Sequence, residues 1–560
     1  VLVLGQRFIE SFSLRFTTMI TRILVAITVA WSAVLAAQAR DADIPHLEKR
    51  GTATQLIVHG KPFLMLAGEL LNSSSSSLDY MRPVWSQLAA IPLNTVLTPL
   101  SWELVEPREG QFDFALLDGL IQDARRNNLH IVFLWLASWK NGMSSYAPLW
   151  VKQDTKRFPR VIDKDGNPVE VLSTLGKESM EADARAFARV MRRIREIDGE
   201  AHTVLMMQVE NEVGVLGDSR DHSPAANQAF AGQVPRDLTS YLEQHHETLI
   251  PEFRRAWEAA GAKTSGTWQQ VFGAKPGTDA IFMAWNYARY VQHVAAAGKA
   301  EYPIPMYVNA WLERPGALPG QYPSGGPLPE VIDVWKAAGD ALDIYSPDIY
   351  MPNFTEWCDR YARGANPLFI PETYGAAQGG ANVFYAIGQH AALGFSPFGI
   401  DSFVEQEREI LMDPKNDLGK SYAVLMKLAP VILAHEGKGE MTGFVLNKEH
   451  PKITAELGGY RLDVSLDQIF EKEATAGFGL IIATGRDEFL GAGSGFRVSF
   501  SLKEGGATRV GIGSVDEGTF EGGVWTPGRR LNGDENDQGR AWRFAPKQIN
   551  IERTTVYRYQ

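Results

Sequence analysis

Apolar and polar positions fall into two regimes along the 560-residue chain. From about residue 60 to 430, short apolar runs alternate with stretches whose apolar residues recur at helical spacing. Residues 93–98 (LNTVLT) form a β-branched apolar run; Phe114, Leu117, Leu120, Ile121 and Ala124 then repeat every three or four positions. Asn127-Asn128 interrupts that helical pattern, and 130–136 (HIVFLWL) is apolar throughout. A strand, a helix and a second apolar strand make a βαβ unit, whose parallel sheet is covered on both faces. The rhythm continues with a helix face of Phe187, Val190, Met191, Ile194 and Ile197 and a strand over 203–209. Further strands are predicted at 306–310, 342–345, 368–370 and 395–400, with an opening strand at 63–67. Eight strands, each followed by a helix or long loop, predict an α/β fold: a closed (β/α)8 TIM barrel. An open doubly wound sheet is the alternative. No GxGxxG follows the first strand, which argues against it. The stretch 221–280 exceeds a minimal βα unit and reads as an insertion on the face where the strands end. Residues 313–330 are dense in Pro and Gly and read as a long loop on that face. Ser76 and Asp79 are spaced as a helix capping box.

The second regime begins near residue 431. There, 21 of the 52 glycines fall within 130 residues, among short alternating runs such as RLDVSL and FRVSFSL. This predicts a C-terminal all-β, sandwich-like domain over 431–560, after a catalytic barrel spanning 40–430. At the other end, Met19 opens a segment with Arg22, an apolar run over 23–36 and Ala37-Gln38-Ala39. The run is too short for a bilayer span, and the small-x-small site fits signal-peptide cleavage. Residues 1–39 are therefore expected to be upstream sequence plus a leader, and the mature chain periplasmic or secreted without a membrane anchor. The net charge of −11 disfavours a nucleic-acid partner. One cysteine allows no internal disulfide, and no HExxH or CxxC appears, so neither metal nor cofactor is expected.

Two apolar strands run directly into carboxylates. The fourth ends MMQVENEVG, with Glu210, Asn211 and Glu212; the seventh runs PLFIPETYG, with Glu372. Strand ends project into the mouth of a barrel, and three βα units of separation place Glu212 and Glu372 across it. Two facing carboxyls, one protonated and one ionised, are what glycosidic bond cleavage requires. Asn211 and Glu212 are consecutive, so both can face inward only if the strand ends or bulges there. Fourteen tryptophans supply flat faces suited to sugar rings, and Trp139 and Trp311 follow strand ends.

These residues resemble glycoside hydrolase family 35, the β-galactosidases of clan A. QVENEVG is similar to the family's acid/base motif, IPETYG to the clan's nucleophile strand, and Trp102 with Glu106-Pro107 and Gly110-Gln111-Phe112 to its second-strand motif. The resemblance covers roughly 55–430. It implies Glu212 as general acid/base, Glu372 as nucleophile and Asn211 as partner of the sugar 2-hydroxyl. SPDIYMP is similar to the clan's Asp-x-Tyr-x-Pro and implies Tyr350 as a donor to the nucleophile. Three family patterns are replaced: AGELLN stands in the first strand, Pro99-Leu100-Ser101 precedes the second-strand Trp, and ASWKNGMSS ends the third. Glu69, Lys140 and Asn141 are then the substitute sugar contacts. Such a rebuilt pocket is similar to a divergent bacterial branch acting on plant-wall oligosaccharides such as xyloglucan. The expected partner is an oligosaccharide substrate, and the expected activity a retaining exo-β-galactosidase. A clan A hydrolase for another sugar (arabinosidase, fucosidase or endo-β-glycanase) and a non-catalytic carbohydrate-binding barrel are the alternatives.

Overall fold

The computed structural model describes residues 44–403, 417–467, 474–503 and 508–560. The expected leader and its cleavage site lie outside the described residues. Eight parallel strands close into a barrel. They are β1 (Met65–Glu69), β2 (Thr95–Ser101), β3 (His130–Lys140), β4 (Val204–Asn211), β5 (Met306–Trp311), β6 (Ile344–Ile349), β7 (Ile370–Thr373) and β8 (Gly394–Pro397). β8 pairs with β1, and β4 pairs with β5, so no edge is left open. Several strands start or stop a few residues from the positions the apolar runs predict. β1 begins at Met65, because Phe63 belongs to a preceding strand.

That preceding strand is part of an antiparallel sheet with no counterpart in the sequence reading: His46–Arg50, Ala53–Val58 and Lys61–Phe63. Its Leu56 and Val58 join Met65, Leu97, Val132, Leu134, Leu205, Tyr307, Ile344 and Phe369 in one buried cluster, the barrel interior. The sheet thus closes the barrel at the end where the strands begin. The opposite end carries the loops. A hairpin of Arg160–Ile162 and Pro168–Leu172 follows β3. Four short helices occupy the stretch read as an insertion: Pro224–Ala231, Arg236–Gln244, Pro251–Ala259 and Trp268–Phe272. The expected capping box is replaced by another arrangement. Ser74–Ser76 is a 3-10 turn held to β2 by the buried Ser75 hydroxyl, which donates to the Pro99 carbonyl at 2.6 Å. Ser77 therefore caps the helix Leu78–Leu88, accepting from the Tyr80 N–H.

The helix Asp417–His435 leads out of the barrel, and the first strand of the all-β part is Met441–Leu446. Two antiparallel sheets, of six and four strands, face each other across Phe444, Leu462, Val464, Ile481, Phe489, Phe496, Val498, Trp542 and Phe544. Part of the larger sheet is buried on both faces. On the strand Gly477–Gly485, Ile481 enters this sandwich core, while Leu480 and Ile482 join the barrel's outer core with Phe384, Leu425 and Leu428. Period-two alternation therefore fixes the sandwich to the barrel.

Candidate active site

The geometry of the mouth starts from a break in a strand pair. β3 and β4 lose register between Trp135 and Lys140. Ser138 and Trp139 both turn to the helix layer there. Their N–H groups lose ladder partners and donate instead to the two carboxyl oxygens of Glu210, at 3.2 and 2.7 Å. Glu210 lies beside Asp183 of the helix Lys177–Asp198, whose carboxyl accepts from Ser138 Oγ (2.5 Å) and Trp135 Nε1 (2.9 Å). Both acids are fully buried. Burial, and then the neighbouring Asp183, push Glu210 well above the usual carboxyl range. Two acids this close are compatible only if they share a proton.

This arrangement turns the next two side chains inward. Glu210 and Glu212 both have left-handed backbone, φ +62° and +44°. The reversal breaks strand alternation, so Asn211 and Glu212 both reach the mouth as the sequence requires. Asn211 Oδ1 accepts from Lys140 Nζ at 3.0 Å. The Glu212 N–H donates to Asn309 Oδ1 on β5 at 2.9 Å. Asn309 Nδ2 in turn donates to Asp348 Oδ2 on β6 at 2.6 Å. One amide thus ties the backbone of one carboxylate residue to the side chain of another. Across the mouth, Glu372 Oε1 accepts from the Tyr350 hydroxyl at 2.8 Å.

Glu212, Asp348 and Glu372 converge. One oxygen of each lies within 4.8 Å of the others. That spacing could also surround a cation; the positive charge beside them comes from Lys140. All three are buried, as are Glu69 and Lys140. Burial and the adjacent Glu372 raise Glu212 to about 7, against opposing contributions from Lys140 and the neighbouring Asp348. Burial and Glu372 likewise raise Glu69 and Asp348 well above their usual ranges. Burial works against a charged Lys140, but the surrounding Glu372, Glu69, Glu212 and Asp348 outweigh it and raise the ammonium. The mouth can therefore hold protonated and ionised carboxyls side by side at neutral pH.

The other expected contacts divide. Glu69, Lys140, Asn211 and Tyr350 belong to this group. Asn141, with φ +52° and its N–H donating to the Asn211 carbonyl at 3.2 Å, sits at the rim and is partly exposed. Trp311 is 41% exposed at the end of β5. Trp139 does not line the mouth. It is fully buried in the helix layer between Tyr287 and Tyr290, ring centroids 4.9 and 4.5 Å away, and its indole donates to the Leu172 carbonyl. The register break carries it outward, which excludes it from stacking on a sugar. Glu106 of the second-strand motif accepts from Trp102 Nε1 (2.8 Å) and the Gly110 N–H (2.7 Å), so this motif braces a loop. Asn309 and Asp348 are the mouth residues the sequence reading left without a role. Asp348 stands two residues before Tyr350 in SPDIYMP, the phase that faces inward.

Comparison with known proteins agrees with this chemistry at a coarse level. Residues 84–294 match the family model Glyco_hydro_42, described as "Beta-galactosidase", so the model that matches is family 42 and not family 35. Residues 418–543 match a domain of unknown function, DUF5597. The chain is 28% identical over 213 residues to "Beta-galactosidase-1-like protein 3" of Homo sapiens, covering 35% of this chain and 30% of that protein. It is 28% identical over 181 residues to a "Beta-galactosidase" of Xanthomonas manihotis, covering 31% and 27%. The matched region thus spans under a third of either relative. Among solved structures, a β-galactosidase from Bacillus circulans sp. alkalophilus aligns with TM-score 0.44 and 14% identity over 66% of this chain and 57% of its own. One from Marinomonas ef1 aligns with TM-score 0.45 and 14% identity over 66% and 60%. Among the described residues, no helix is long and apolar enough to cross a membrane.

Proposed function

We propose that the chain is a retaining exo-β-galactosidase, exported through the leader expected at 19–39 and acting on plant-wall oligosaccharides. The observation that carries this reading is the pair Glu212 and Glu372, buried, facing each other across the barrel mouth and held in unlike surroundings. Glu212, raised to about 7, is suited to protonate a leaving oxygen and then to accept a proton from water. Glu372, with Tyr350 donating to Oε1, is oriented to attack the anomeric carbon. Carboxyl oxygens within 4.8 Å leave no room for a water between nucleophile and sugar, which favours double displacement over inversion. Asn211, fixed by Lys140, offers its amide N–H groups to a hydroxyl next to the reacting carbon. The match to a β-galactosidase family model and the residue-level resemblance to family 35 support galactose. Glu69 and Lys140 give the pocket its own polar lining. Trp311 stands at the rim as a stacking face. A panel of nitrophenyl glycosides, assayed with wild type and Glu372→Gln, tests the reading. Hydrolysis of the β-galactoside above all others, lost in the variant, is expected. Preference for an arabinoside, fucoside or glucan would reassign the sugar, and binding without turnover of any glycoside would leave a carbohydrate-binding barrel.

A further inference from the structure

The double displacement above engages Glu212 and Glu372 and leaves Asp348 without a part. Yet Asp348 is 3% exposed, and nothing in its setting makes it a solvated acid. Its Oδ2 is fixed by Asn309, while among the described residues no N–H or hydroxyl donor reaches Oδ1. Among the described residues no donor reaches Oε2 of Glu212 either. An ionised carboxylate only accepts hydrogen bonds, so two neighbouring buried carboxyls, each with an oxygen that no donor reaches, are stable only if one of them carries a proton. Asn309 holds this pair together, since the same amide binds the Glu212 backbone and the Asp348 side chain.

Resting on the hydrolase reading, we propose that Asp348 remains the neutral acid through the whole reaction cycle and donates its O–H to Glu212, a positioning residue that sets when Glu212 gives and takes its proton. In the first step Glu372 forms a bond to the anomeric carbon. The glycosidic C–O bond breaks toward the leaving oxygen, which takes the Glu212 proton. One negative charge vanishes into the new ester and one appears on Glu212, where the Asp348 hydroxyl meets it. In the second step Glu212 takes a proton from water, the water oxygen bonds to the anomeric carbon, and Glu372 leaves as carboxylate. The Asp348 proton stays on Asp348 throughout.

The groups that face this pair favour that distribution. Burial first, and then Glu372 on β7, Glu212 and Glu69 on β1, raise Asp348, and Glu372 raises Glu212 as well. Lys140 on β3 brings its positive charge to Glu212. The phenols of Tyr307 on β5, Tyr350 after β6 and Tyr361 of the helix Phe354–Tyr361 feel Asp348 as well. Burial raises Asp348 well above its usual range, and burial and Glu372 raise Glu212 to about 7.

The test compares Asp348→Asn, Asp348→Leu and wild type. Asparagine keeps a neutral donor toward Glu212 and an acceptor toward Asn309. The basic limb of its pH–rate profile should move by less than about half a unit. Leucine offers no donor. Its basic limb should rise by about one unit, and hydrolysis of the glycosyl-enzyme should slow at least ~10-fold, seen as a burst with an activated aryl galactoside. Infrared difference spectra of wild type against Asp348→Asn near neutral pH should show the loss of one protonated carboxyl band. A fall of the Asn variant's limb by a unit or more would mean Asp348 is an anion and overturn the proposal. So would an unmoved limb in the Leu variant, an unchanged infrared spectrum, or wild-type activity abolished by a chelator and restored by magnesium. Should the Leu variant fail to fold, the Asn variant and the spectrum still decide. The spectrum needs no turnover, so it separates failure of this proposal from failure of the hydrolase reading, which inactive wild type would reveal.

Discussion

Lys140 is the cation that four buried carboxyls share: Glu69, Glu212, Asp348 and Glu372. Its ammonium restrains the rise of Glu212 and fixes Asn211. Lys140→Met should therefore push Glu212 higher and carry the basic limb of the pH–rate profile upward by about one unit. It should also lower kcat/KM roughly 10- to 100-fold through the loss of a charged hydrogen bond. A limb that stays or moves down would refute this placement of charge. At this scale the sequence is legible where chemistry contradicts pattern. A carboxylate that ends an apolar strand, as Glu212 and Glu372 do, has no place in a plain core. Asp348 and Asn309 are less legible, because a short polar residue within a strand can equally be a satisfied core group. Trp139 misleads for another reason. Its side follows from a register break that inserts three extra residues in β3 between Trp135 and Lys140, and no local composition marks that break.

At the scale of elements, the apolar runs identify the barrel because parallel strands are covered on both faces and so read as continuous apolar segments. The N-terminal sheet and the hairpin over 160–172 lack that signature, being short and antiparallel. The turn after β4 depends on one glycine. Gly214 has φ +146°, and an added Cβ would lie 2.4 Å from the Pro323 carbonyl carbon in the long loop after β5. Gly214→Ala must shift that loop or the segment carrying Glu212. A stability loss of about 2 kcal/mol or more is expected, with a drop in turnover. Calorimetry and galactoside hydrolysis check both, and an unchanged melting temperature would show that the loop yields freely.

Across the whole molecule, the glycine-rich change of texture near 431 reflects a sandwich built of short, twisted strands, while the helix before it runs to His435. The attachment of the two parts is not legible, since it depends on which face of the strand 477–485 meets which core. The sandwich holds its own buried acid. Glu552 accepts from Trp542 Nε1 at 2.8 Å, and burial raises it to about 8. The folded state then holds a proton that the unfolded chain, near its ordinary carboxyl value, has released. Stability from this group is complete at acid pH and is lost as pH rises toward and through about 8. Glu552→Gln cannot ionise and keeps an acceptor for Trp542. Its melting temperature relative to wild type should climb steadily from mildly acid to alkaline pH. A difference independent of pH would mean that Glu552 is ionised in the fold.

The central claim is the division of labour between Glu212 and Glu372, and azide rescue reads it directly. With an aryl β-galactoside and added azide, Glu212→Gly should still form the glycosyl-enzyme on Glu372 and release the β-glycosyl azide. Glu372→Gly should admit azide from the opposite face and release the α-glycosyl azide. Exchange of the two products would exchange the roles, and full activity in both variants without azide would contradict a hydrolase site at this mouth.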